Sequence, residues 1–533
     1  MEESFFQMRK LGCFSVVCVV LICVFLNNEV PSVNNMEARN YITAREMLEN
    51  GSWLLPTMNG KLRLAKPPLP TWITALAMKW AGTDANRKVN RIPAGICGVL
   101  LALFTFLLAR RLTGDRALST TAVLILVTGL LFLSSARKNF WDIYAHMAMA
   151  GAIWAAAKAV SRQEGKNRYF FLCSFLMAFS FLSKGPVALW AMLFPFGASY
   201  LMVYGAKGLR ENWRGLAFSL GIAILLSASW PTYVFFNTPR DALVVGSKEM
   251  TNWFTNHTEK PWYYVLNLHQ VAGAWTFFLL YAMIAPFVEK DWKNEERFFA
   301  CWLILTLLVL SIIPEKKVRY LLPATVPGSI AAAIAVYRLR DAGHRAWKYV
   351  YGPFCFVVGA ACFAASGVLL YYSPAQPALM IPGAIALAGA GIVIISGFLR
   401  KRTKNTHLAA AAALCLSLVF FTPLKSLYPK TDMTVIFMGL RNIPELRGRN
   451  LYFVGDLPEE LVWGVGRQVI PVGPEQIPSL PAKDPHAALI AEGKPGGRYP
   501  GMRLVKPLQA DDITYNVYCP LQEISPRDSR GAR

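Results

Sequence analysis

Runs of about 20 apolar residues recur along nearly the whole chain, and a run of that length is what crosses the roughly 30 Å of a bilayer as a helix. About thirteen such runs can be read, near residues 11–27, 92–109, 117–135, 143–160, 168–183, 186–204, 215–236, 264–287, 297–313, 320–337, 349–371, 378–399 and 407–423. Hydrophobic residues make up 54% of the 533 and charged residues only 16%, so the chain reads as a membrane protein and not as a soluble enzyme. The formal charge of +23 could point to nucleic acid, but Lys and Arg fall in short clusters between apolar runs and form no single extended face. Such clusters set membrane orientation.

The clusters at Arg110, Arg111 and Arg116, at Lys158, Arg162 and Lys166, at Lys207 and Arg210, at Arg338 and Arg340, and at Arg400, Lys401 and Arg402 then share one side. By the positive-inside rule that side is cytoplasmic. Residues 11–27 follow Arg9 and Lys10 as a signal peptide would, but Asn27 and Asn28 come without a small-residue cleavage site, so an uncleaved anchor with a cytoplasmic N-terminus is expected. Three segments on the other, periplasmic side are too polar to be plain connectors: 28–90, 237–263 and the tail from about 424. The expected division is therefore a transmembrane domain over 1–424, including loops 28–90 and 237–263, and a small periplasmic domain over 425–533.

In the first polar segment, residues 35–49 read as an amphipathic helix on the membrane surface, capped by Asn35, with Arg45 and Glu49 at i,i+4 and Asn50-Gly51 as its stop. Pro67-Pro68 opens a further helix through "TWITALAMKW". The tail alternates β-like runs, "NLYFVG" and "RQVIPV", with turns and one helical stretch at "PEELVWG", as in a small mixed α/β domain. Nine of the ten cysteines lie in apolar runs and Cys519 alone in a polar one, which is neither a disulfide framework nor a metal site. HExxH, CxxC, P-loop and GxGxxG motifs do not occur, so soluble nucleotide-sugar or ATP chemistry has no support.

Ionisable residues at the ends of distant apolar runs are candidates for a shared polar site, because charges beside hydrocarbon are costly unless they face a cavity or one another. Asp142, in "RKNFWDIYAHMAM", is the most informative: either a helix-dipole partner or a functional carboxylate. Glu37, in the first turn of its helix, admits the same two readings. "PEKKVRYLLP" (314–323) sets three cations and a tyrosine between two spans, the chemistry that holds a lipid phosphate, with Arg319 and Tyr320 foremost. Lys66 precedes Pro67-Pro68, and Lys260 precedes Pro261 and the aromatic run Trp262, Tyr263 and Tyr264, which are interface anchors or sugar platforms. Arg39, Glu249 and His257 are further candidates, His257 as a lone metal ligand or proton-transfer group.

The stretch "MEARNYITAREMLENGSWLLPTMNGKLRLAKPPLPTW" (36–72), followed in order by "FLSKGPVAL" (181–189), "EKPWYYV" (259–265) and "KKVRYLLP" (316–323), resembles the bacterial integral-membrane glycosyltransferases related to lipid A aminoarabinose transferases and protein O-mannosyltransferases. The resemblance implies an all-α polytopic GT-C fold. It also implies transfer of a sugar from a polyprenyl-phosphate carrier, such as an undecaprenyl-phosphate sugar, to a lipid A, protein or glycan acceptor at the periplasmic face of the inner membrane. It maps Glu37 and Asp142 onto the family's acidic positions, Arg39 onto its arginine, and Lys66 and Tyr320 onto residues beside the carrier phosphate. Met36 stands where the family has its aspartate base, and Ala65 where the aminoarabinose branch has a glutamate that can join a metal site, so no divalent metal is expected. Either Glu37 or Asp142 supplies the base, or the acceptor is an anion that hardly needs one, or the change at Met36 removes activity. The rival class is a flippase or transporter of lipid-linked sugars, with Lys184 beside Gly185 and Pro186 as a charge within the bilayer. A polysaccharide polymerase or ligase with a diphosphate-linked donor is a third.

Overall fold

The computed structural model describes residues 2–161, 164–239, 258–339, 345–374, 376–401, 406–421, 433–493, 499–510 and 513–521. Glu249 and His257 lie outside the described residues.

Helices stand in every one of the apolar runs read from the sequence. Among the described residues seven are long and apolar enough to cross a membrane, or eight if Arg116–Val127 and Leu130–Ala136, bent by 69° at their junction, form one span. Phe14–Phe25, Leu189–Tyr204 and Thr406–Phe421 are apolar but shorter, while Lys166–Lys184 and Asn294–Ile312 begin with polar and charged residues that lower their hydropathy. Length and composition alone thus single out seven or eight spans among the described residues, while each of the thirteen apolar runs holds a helix. The two breaks have local causes: Gly129 follows Thr128 at the bend, and Gly185 (φ +73°) with Pro186 ends Lys166–Lys184 ahead of a π-helical turn at Leu189–Leu193.

The chain forms two compact units: Met1–Asn28, Leu64–Pro70 and Arg91–Leu424 in the first, and Glu29–Arg63, Thr71–Asn90 and Lys425–Arg533 in the second. In the first, Trp141–Val160 packs along Lys166–Lys184, which in turn packs on Trp213–Asn237. Trp347–Tyr372, Pro377–Leu399 and Thr406–Phe421 form a second row of neighbours. Aromatic side chains fill the interior, with Trp275, Phe278, Tyr351 and Phe354 stacked or edge-on at centroid distances of 4.9 to 5.1 Å. Arg91, fully buried, gives Nη1 to the Asn28 carbonyl at 2.6 Å, so that cation caps the chain leaving the first helix and is not a surface group.

The second unit is built on a five-stranded mixed sheet in the order Val469–Val472, Asn450–Val454, Ala487–Glu492, Ile513–Pro520, Met502–Ala510, parallel across the first three strands and antiparallel after. The helix Glu459–Val465 connects the two parallel strands Asn450–Val454 and Val469–Val472. By packing, residues 29–63 and 71–90 group with this sheet and not with the membrane helices. The helix Asn35–Asn50 is therefore not a surface helix: Tyr41, Ile42 and Ala44 are fully buried in the same core as Phe453, Trp463, Ile490 and Val517. Burying a side chain of the size of Ile42 contributes about 1.5–3 kcal/mol. Its cap is Asn34, one residue earlier than the sequence suggests, whose side chain accepts from the Glu37 amide; Gly51 at φ +70° ends it.

Gly464 shows how tight this core is. A Cβ there would lie 2.4 Å from the Phe437 Cβ and 2.9 Å from its carbonyl carbon, and backbone cannot step aside. Gly464→Ala is expected to destabilise the second unit by about 1–3 kcal/mol, read as earlier loss of hydrogen-exchange protection in residues 433–493; unchanged protection would mean the helix shifts freely.

Candidate active site

Two helix ends in the first unit create the polar centre. Trp141–Val160 starts after Phe140 and carries Asp142 in its first turn; Lys166–Lys184 ends in Lys184 because Gly185-Pro186 cannot continue it. The two elements pack antiparallel, so the start of one meets the end of the other, and Lys184 forms an ion pair with Asp142. Both side chains are almost wholly buried, at 9% and 3% exposed. Asp142 is thus more than a dipole partner. One turn on, His146 gives Nδ1 to the Asp142 carbonyl at 2.7 Å.

The segment after Asn294–Ile312 supplies the rest. The Lys184 ammonium lies 4.9 Å from the Tyr320 ring centre, with the Arg319 guanidinium at 5.4 Å and the Lys317 ammonium at 6.0 Å from the same ring. Arg319 also bears electrostatically on Asp142, and Lys66 on Lys184. Glu315, 7% exposed, accepts from Lys317 Nζ at 2.7 Å and from the Tyr320 hydroxyl at 3.4 Å. Arg319 Nε is buried without a hydrogen-bond partner among the described residues. Four cations, Lys66, Lys184, Lys317 and Arg319, face two carboxylates, Asp142 and Glu315, leaving two positive charges in excess. An excess of two is the complement of a phosphate monoester dianion.

Of the residues expected from sequence, Asp142, Lys66, Arg319 and Tyr320 come together here. Lys260 is exposed and rests over Trp262 at 5.5 Å, while Tyr264 is buried, so the aromatic run divides between surface and core. Lys316 is turned inward as a clamp, its ammonium on the carbonyls of Ile313 (2.9 Å), Glu259 (3.2 Å) and Pro314 (3.5 Å). Lys184, Glu315 and Lys317 were not singled out as site residues. Two of them carried a readable signal: Lys184, a charge at the very end of an apolar run and just before Gly-Pro, and Lys317, one of the three cations of residues 314–323.

Glu37 and Arg39 belong to the second unit. The Glu37 carboxylate is fully buried and accepts from the Tyr41 hydroxyl at 3.1 Å; Arg39 gives Nε and Nη2 to Glu459 at 2.8 and 2.6 Å. Met36 is half-buried on the same helix. Nearby, Asp84 accepts two bonds from Arg441, at 2.8 and 3.0 Å, and stands 3.8 Å from Arg45. Burial pulls the Arg45 guanidinium below its usual range, against the opposing pull of Asp84, Glu49 and Glu46. Arg45 pairs with Glu49 at 3.6 Å, the i,i+4 contact expected from sequence. Among the described residues no group of three or more His, Cys, Asp or Glu side chains could hold a metal ion.

The apolar helices of the first unit carry a basic, tyrosine-bearing cluster at helix ends, and the chain is similar in sequence and in fold to membrane glycosyltransferases. The model of the dolichyl-phosphate-mannose-protein mannosyltransferase family matches residues 65–230. The crystal structure of ArnT from Cupriavidus metallidurans bound to undecaprenyl phosphate superposes with a TM-score of 0.71 over 95% of this chain and 97% of that one, at 17% identity, which establishes the shared fold. In sequence, an undecaprenyl phosphate-alpha-4-amino-4-deoxy-L-arabinose arabinosyl transferase of Pectobacterium atrosepticum is 25% identical over 72% of this chain and 70% of its own length. An uncharacterized protein of Aquifex aeolicus is 28% identical over 58% of this chain, and the match spans 60% of that protein. The resemblance read from the motifs therefore holds.

Proposed function

We propose that the protein transfers a sugar from a polyprenyl-phosphate carrier to an acceptor at the periplasmic face of the bacterial inner membrane. The observation that carries this reading is the Asp142–Lys184–Tyr320 centre with its two excess positive charges. In the reaction the bond from the sugar's anomeric carbon to the phosphate oxygen breaks, the acceptor oxygen bonds to that carbon, and negative charge accumulates on the departing phosphate. Lys66, Lys184, Lys317 and Arg319 with the Tyr320 hydroxyl stabilise that charge as it forms, which is the differential binding that accelerates the step. Asp142 holds Lys184 in place and is the candidate to take a proton from an acceptor hydroxyl; an anionic acceptor needs only positioning. An undecaprenyl-phosphate sugar is the donor named for the Pectobacterium relative; its phosphodiester carries one negative charge and the departing monoester two, so the charge that the cations meet grows as the bond breaks. A pentose or hexose, and a lipid A, protein or glycan acceptor, are both compatible with it.

A cytoplasmic N-terminus, a periplasmic C-terminal domain from about residue 425 and roughly thirteen membrane segments complete the proposal; the basic clusters between helices support the orientation. In liposomes given a radiolabelled undecaprenyl-phosphate sugar, label is expected to move to lipid A or to protein; movement of the lipid across the bilayer without transfer would favour the flippase. Lys66→Ala is expected to lower kcat/KM for the donor about 10²-fold or more, as loss of one transition-state donor does elsewhere. Undiminished transfer would remove Lys66 from the phosphate site.

A further inference from the structure

We propose that Glu315 acts as an internal competitor of the carrier phosphate: its carboxylate engages Lys317 and Tyr320, donors the phosphate also needs, and so hastens release of the spent carrier. The proposal rests on the carrier reading above and adds a role for a residue that reading leaves unused.

The carboxylate is held where it is by its own backbone. Thr258 and Glu315 form an antiparallel bridge, and the Glu259 amide donates to the Pro314 carbonyl at 3.2 Å. The next residue, Lys316, fastens its ammonium to three carbonyls of the same two strands. Between these anchors Glu315 Oε1 receives both the Lys317 ammonium and the Tyr320 hydroxyl. A purely structural acceptor at this place could be neutral. The charged one is paired with the Lys317 ammonium 2.7 Å away, so it is held as an anion on a donor that any other anion entering the cluster would have to share.

What it does follows from the excess of cations. Four cations that stabilise the developing charge also hold the dianionic product, and a product that leaves slowly limits turnover. An anchored carboxylate weakens that product binding, because the phosphate must displace it from Lys317 and Tyr320 and is repelled by it thereafter. When the product leaves, the carboxylate takes the same two donors back. No bond is made or broken; two hydrogen bonds change partner.

The test is binding of undecaprenyl phosphate to the full chain in nanodiscs, together with transfer kinetics, for the parent protein, Glu315→Gln and Glu315→Ala, each checked by thermal melt. Both variants are expected to bind undecaprenyl phosphate roughly 10-fold more tightly, the scale of one charge-assisted hydrogen bond, with a lower KM for the donor and a lower kcat. A role limited to positioning Tyr320 predicts the opposite, weaker binding and higher KM. Parent protein that binds while neither folded variant binds more tightly overturns the proposal alone. Parent protein that does not bind undecaprenyl phosphate overturns the proposal and the carrier reading together, whereas binding that Lys66→Ala weakens keeps the carrier reading even where the Glu315 variants bind no more tightly.

Discussion

Asp142→Asn is expected to stop sugar transfer, lowering kcat by about 10³-fold, whether the carboxylate takes a proton or holds the Lys184 ammonium against the departing phosphate. The same substitution strands Lys184, 9% exposed, opposite a neutral amide, and removing one member of a buried pair typically costs about 3–5 kcal/mol. Lost activity could then be lost folding. Asp142→Asn combined with Lys184→Gln separates the two, since it removes both charges and leaves a neutral pair. The double variant is expected to recover most of the melting temperature while remaining inactive. Recovery of transfer with stability would show that the pair only holds two helix ends together, and persistent instability would show that shape and not charge is what the pair maintains.

Asp84→Asn is expected to be the most damaging single change in the second unit. Asp84 takes two hydrogen bonds from Arg441 and lies 3.8 Å from Arg45, which is only 5% exposed and whose Nε makes no hydrogen bond, only the longer ion pair with Glu49. Without that carboxylate two guanidinium groups face each other, with Glu49 the nearest acid, itself raised above the usual carboxylate range by burial. A loss of about 3 kcal/mol is expected. It should appear as faster hydrogen exchange in residues 29–63, 71–90 and 433–493 with unchanged exchange in the helix Trp141–Val160. Uniform exchange through both segments would contradict it, as would none. Asp84→Glu, keeping the charge, should restore most of the protection.

Why some of this was legible from sequence and some not is clear at particular residues. The strands Asn450–Val454 and Val469–Val472, the helix Glu459–Val465 and the stop at Gly51 depend on neighbours within a few positions, and each falls where alternation, periodicity and glycine place it. The cap at Asn34 was missed by one residue because Asn34 and Asn35 offer identical chemistry and only backbone conformation separates them. The helix Asn35–Asn50 was assigned to the membrane surface since its charges looked solvated. Three of them, Glu37, Arg45 and Glu46, are buried, satisfied in part by Tyr41, Asp84 and Thr57. Tyr41 lies one turn from Glu37 and was within reach of a helical reading, but Thr57 and Asp84, 11 and 39 residues from Glu46 and Arg45, leave no local signature.

The sequence by itself determined where the chain is apolar, roughly where its helices run, which segments are basic, and which ionisable residues stand at the ends of apolar runs, Asp142, Lys66, Arg319 and Tyr320 among them. Hydropathy, capping and motif order are properties of short windows, so they survive without a fold. Only the tertiary structure decided which charge meets which. Lys184 reaches Asp142 across 42 residues because two antiparallel helices bring an end and a start together, and Lys316 turns away from the site that Lys317 enters because two strand-like segments supply its carbonyls. Ion-pair choice is set by the convergence of distant backbone, and no window of sequence contains it.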